Sequence, residues 1–133
     1  MFIHLTKMID IKKQIEYWQS GAMSDFETAE ILVANKKFIH GLFFCHLSIE
    51  KILKALLVKE TGELPPKSHN LNYIQELAKV EVTEEQRLLM SVLMKYQLEG
   101  RYPDYRPDTP SFDIINDYLS RTKELLICLR QKL

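Results

Sequence analysis

Between Arg101 and Pro107 the chain reads RYPDYRP, which sets two guanidinium forks, two phenol rings and one carboxylate on a segment stiffened by proline. Arginine meets phosphate oxygens with two parallel N–H bonds, and a tyrosine ring stacks on a base or offers its hydroxyl. Arg101, Tyr102, Asp104, Tyr105 and Arg106 are therefore candidate ligand-binding residues for a nucleotide or RNA. The competing reading is a rigid inter-helix loop, with Arg101 paired to Asp104 and Tyr102 packed on its neighbours.

A second polar group lies upstream. Helical spacing puts Glu50 and Lys54 on one row with Phe43, Leu47 and Leu57, so charge falls where packing favours carbon. A charge out of water is costly unless it is paired. One reading is a pair on a solvated helix edge, worth ~0.2–0.5 kcal/mol. The other is a fixed charge lattice lining a cleft or dimer interface, with Asp25 of the preceding helix reaching Lys51 or Lys54. His69, after Pro65-Pro66-Lys67-Ser68, is the third candidate, either a loop side chain or a proton carrier. His4, His40 and His46 lack a metal-ligand spacing, so no metal or cofactor is expected.

These groups need helices to position them. Apolar residues recur with helical period and no strand alternation stands out. The spacing predicts a first helix from about Lys7 to Lys36, with the row Trp18, Ala22, Asp25, Ala29 and Leu32, and with Gly21 at a bend or close contact. A second, from Phe38 to Glu60, should be the most buried, through Leu42, Cys45, Ile49, Ile52, Leu53 and Leu56; Gly62 and the two prolines end it. A short third helix over 70–79 is capped by Ser68 or Asn70, and a fourth opens at the capping box T-E-E-Q from Thr83 and continues to about Leu98. Thr109, followed by Pro110, opens the last helix, whose inward stripe is Phe112, Ile115, Leu119 and Leu126. The expected fold is all-α, an up-and-down bundle of four long helices plus one short helix, formed by residues 1–133 as a single domain.

Composition bounds the rest. The 133 residues are 46% hydrophobic and 27% charged, with 18 basic and 18 acidic side chains, so no net field draws the molecule to nucleic acid or an anionic membrane. Cys45 and Cys128 sit among apolar residues and read as reduced thiols of a cytoplasmic protein. The amino terminus lacks the pattern of a secretory leader. The apolar run from Gly41 to Ile49 is too short to span a bilayer.

Taken in order, Trp18, Ala22, Asp25 and Ala29, then Glu50-Lys51 with Leu53-Lys54-Ala55, then P-K-S-H-N-L at 66–71 and Arg101-Tyr102-Pro103-Asp104 resemble the HEPN domain (higher eukaryotes and prokaryotes nucleotide-binding). The resemblance covers about residues 15 to 130 and carries a helical bundle that typically forms homodimers, with a cleft near the dimer interface. It implies a small bacterial or archaeal protein often encoded beside a minimal nucleotidyltransferase, as a toxin–antitoxin-like pair. Many such proteins are metal-independent ribonucleases whose motif is an arginine followed four to six residues on by a histidine. Here Arg101 has no such histidine, and none occurs after His69. The favoured expectation is a nucleotide-binding partner of a nucleotidyltransferase. A divergent ribonuclease using Arg101 with Tyr105 or His69, and a non-catalytic helical interaction module, are the alternatives.

Overall fold

The computed structural model describes residues 10–133, which form five α-helices and no strand. The reading of the amino-terminal segment, the helix start expected at Lys7 and His4 all lie outside the described residues. Helix α1 (Ile11–Ala34) is capped by Asp10, whose carboxylate accepts the Lys13 amide at 3.0 Å. It turns through Asn35–Lys37 into α2 (Phe38–Thr61), and the two helices pack along their lengths. A Cβ on Gly41 would lie 2.6 Å from Val33 Cγ2, so the close approach after the turn requires glycine. Gly62, in the left-handed conformation at φ 68°, closes α2 with its amide on the Val58 carbonyl.

α2 is the central element. Leu42, Cys45, Ile49, Ile52, Leu53 and Leu56 are all buried, as its wide apolar face requires. α1 meets it with Ala22, Phe26, Ala29 and Val33, whereas Trp18, Asp25 and Leu32 lie only part-way in; the buried stripe is rotated slightly from the expected row. Gly21 marks a close contact, since a Cβ there would sit 3.1 Å from Lys51 Cδ. The remaining faces of α2 are covered by α3 (Leu71–Leu77), α4 (Glu84–Leu93) and α5 (Phe112–Arg130). Asn70 caps α3, and the reciprocal Thr83–Gln86 capping box opens α4.

Three boundaries or faces differ from expectation. α4 does not continue to Leu98: it ends at Leu93 and tightens into a 3₁₀ turn, Met94–Tyr96. The reason is that the Met94, Lys95 and Gln97 carbonyls are taken by side chains of the following loop. α5 opens from Ser111, whose hydroxyl accepts the Ile114 amide, and not from Thr109 with Pro110. Its buried residues are Ile115, Thr122, Leu125, Leu126 and Leu129, while Phe112 stays largely exposed and meets Phe38 edge-on. No helix among the described residues is long and apolar enough to cross a membrane.

Candidate functional site

Glu50 is the hub of the polar structure that α2 carries. Helical spacing puts His46, Glu50 and Lys54 four residues apart on one face, and the packing of α1 and the 66–70 loop over that face encloses them. Glu50 and Lys54 are 4% and 6% exposed, so the solvated-edge reading of this pair is overturned. Lys54 Nζ donates to Glu50 Oε2 at 2.9 Å and lies 5.3 Å from the centre of the Trp18 ring. The ammonium thus exchanges water for a carboxylate and an aromatic face. Asp25 and Lys51 form a separate pair at 2.7 Å on the α1–α2 seam.

His69 reaches the same carboxylate from the loop. Its Nδ1 donates to Glu50 Oε1 at 2.9 Å, and the fully buried His46 donates from Nε2 to the His69 carbonyl at 2.9 Å. A carboxylate and a carbonyl can only accept, so neutral His69 carries its proton on Nδ1 and neutral His46 on Nε2. His69 Nε2 is then a lone-pair acceptor at a side chain that is 42% exposed, 3.6 Å from Glu99 Oε2. That separation is too long for a hydrogen bond. Burial pushes the His46 imidazole below its usual range, opposed by the Glu50 charge and the His69 carbonyl.

The proline-rich loop is anchored beside this cluster. Arg101 donates from Nε to the Gln97 carbonyl at 3.1 Å and from Nη2 to the Met94 carbonyl at 3.3 Å, with its guanidinium 4.3 Å from the Tyr105 ring centre. The Tyr105 hydroxyl donates to the Lys95 carbonyl. These contacts, and not Asp104, orient Arg101; Asp104 is exposed, and the Arg101–Asp104 pairing of the rigid-loop reading does not form. Tyr102 is not packed on the bundle but is 84% exposed. Arg106 bonds the Pro103 and Tyr105 carbonyls within its own turn. Met94 ties the two regions together, because its sulfur accepts the Leu71 amide while its carbonyl holds Arg101.

Against known proteins, the HEPN domain profile matches residues 15–132. The chain belongs to the HEPN domain family. Solved structures agree on the fold. TT1696 from Thermus thermophilus superposes with a TM-score of 0.73 at 22% identity, over 90% of this chain and 98% of that one. ST0689, described as an archaeal HEPN homologue, gives 0.68 at 16% identity, over 89% and 96%. No curated protein matches the chain.

Within this HEPN domain the structure joins Glu50, Lys54 and His69 in one cluster, sets Arg101 and Tyr105 in the adjoining loop, and leaves Asp25 with Lys51 on the seam. Two participants were missed from the sequence. Metal-ligand spacing gives His46 no role, and its place one helical turn before Glu50 is the signal that finds it. Glu99 gives no signal of its own. Its side chain approaches His69 from the residue just before Gly100, which has a positive φ of 73°. Among the described residues no group of three or more histidines, cysteines or carboxylates is placed to hold a metal ion.

Proposed function

We propose that this HEPN domain is a homodimeric, nucleotide-binding protein of the cytoplasm and the partner of a minimal nucleotidyltransferase in a two-gene, toxin–antitoxin-like module. The observation that carries the binding reading is the Arg101–Tyr105 stack. Two backbone carbonyls and a ring face hold the guanidinium in one orientation while leaving it exposed. A pre-oriented fork spends less conformational entropy on a phosphate than a free side chain does. Exposed Tyr102 beside it offers a face for a base.

Calorimetric titration with nucleoside monophosphates tests the assignment. Arg101→Ala, and also Arg101→Lys, which keeps the charge but loses the fork, should weaken binding at least about tenfold, or ~1.4 kcal/mol. The far-ultraviolet circular dichroism should stay unchanged. Wild-type affinity in both variants would remove Arg101 from the site. For the assembly, light scattering should give twice the chain mass, and a single-chain mass without a partner would count against the dimer.

A second reading, a metal-independent ribonuclease, draws on the Glu50–His69 pair. A buried carboxylate on Nδ1 fixes the tautomer and leaves Nε2 to accept a proton. Incubation of labelled mixed-sequence RNA with the protein and chelator decides it. Cleavage lost in His69→Ala would establish this reading, whereas intact RNA with wild-type protein would dismiss it.

A further inference from the structure

We propose that His69 and Glu99 form a two-acceptor clamp for a vicinal diol, the sugar edge of a ribonucleotide. The inference deepens the nucleotide-binding reading and rests on it.

Glu50 fixes the Nδ1–H tautomer of His69, which turns the acceptor nitrogen Nε2 toward Glu99. The second acceptor, Glu99 Oε2, lies 3.6 Å from it, and its side chain is 56% exposed. A phosphate, itself an array of acceptors, is repelled at such a place. A hard cation seeks roughly six or more oxygen ligands, and one carboxylate falls far short. Donors are what the pair requires, and their spacing selects the kind. A planar amino group spreads its two hydrogens so that acceptors at about 2.9 Å each lie about 5 Å apart. Hydroxyls on adjacent carbons reach acceptors that stand closer together, as these two do.

The clamp shares its chain segment with the other candidate contacts of a nucleotide, since Glu99 is followed after Gly100 by Arg101, the phosphate candidate, and by Tyr102, whose ring is exposed. His46 and Glu50 act as positioning residues. His46 ties down the His69 carbonyl and Glu50 its ring, so the clamp is held from behind by buried groups.

The experiment compares affinities of the four ribonucleoside monophosphates with those of their 2′-deoxy and 3′-deoxy counterparts. The wild-type protein should bind at least one ribonucleotide tenfold or more tightly than either deoxy form. Glu99→Gln, at an exposed position, and His69→Gln should each bring that ratio to within about twofold. Arg101→Ala should weaken ribo and deoxy forms alike and leave the ratio intact. Equal affinity of wild-type protein for ribo and deoxy forms would overturn the clamp while the nucleotide-binding reading stands. A ratio that survives in both clamp variants would do the same. Failure to bind any nucleotide would overturn both.

Discussion

Glu50→Gln should destabilise the protein by roughly 3–5 kcal/mol in urea denaturation, the cost found when one partner of a buried ion pair is removed. Glutamine has nearly the shape of glutamate, so little of this loss is packing. The loss comes from Lys54, whose buried ammonium keeps the Trp18 ring but exchanges a carboxylate for a single neutral amide oxygen that His69 Nδ1 also requires. A cation–π contact, worth about 2 kcal/mol or somewhat more when desolvated, cannot replace both the carboxylate charge and the lost water. The double substitution Glu50→Leu with Lys54→Met removes both charges, and should recover to within about 1 kcal/mol of wild type. Measured with the single variants Glu50→Leu and Lys54→Met, the double variant closes a double-mutant cycle that would separate the ion pair from the packing around it. A cost below about 1 kcal/mol for Glu50→Gln alone would mean that water still reaches Lys54. The double variant carries a further expectation: stable as it is, it lacks the acceptor for His69 Nδ1 and should lose ligand discrimination at the loop.

How far the sequence discloses this arrangement differs from one residue to the next. The helices are legible because burial repeats with helical period, and α2 shows its core face without ambiguity from Leu42 to Leu56. The capping box at Thr83 is legible for a local reason, since four consecutive residues contain the whole hydrogen-bond pair. Where a boundary depends on a distant side chain, local pattern fails. The residues after Leu93 have ordinary helical propensity, yet Arg101 and Tyr105 return from the loop to take the carbonyls there. In the same way the spacing of Glu50 and Lys54 shows that they pair, but their burial depends on what packs over them. His69 meets Glu50 across nineteen residues of sequence, a contact that no periodicity encodes.

His46 makes the stability of this domain depend on pH in the mildly acidic range. Its imidazole is fully buried, Nε2 is committed to the His69 carbonyl, and Nδ1 has no hydrogen-bond partner among the described residues. The charged or titratable groups around it are Glu50, 3.8 Å away, Lys54 on the same helix and His69 on the loop. Burial outweighs the attraction of Glu50, so the folded protein holds His46 neutral below its ordinary value of 6.5. In the unfolded chain the same imidazole takes a proton near that value. Between the unfolded value and the lower folded one, the unfolded state therefore binds more protons. Stability is complete above about pH 6.5 and is lost as pH falls toward the folded value, with a slope of up to about 1.4 kcal/mol per pH unit. Below the folded value the loss attributable to His46 levels off. His46→Gln keeps an N–H able to reach the His69 carbonyl but cannot titrate. The difference between the urea midpoints of wild type and this variant, followed from about pH 7.5 downward, isolates the contribution from those of Glu50 and His69. Parallel curves for the two proteins would mean that the Glu50 charge or penetrating water offsets the burial, so that His46 binds its proton alike in the folded and unfolded states. Curves that diverge above about pH 7 would reverse the sign, and would make His46 the cation of the cluster.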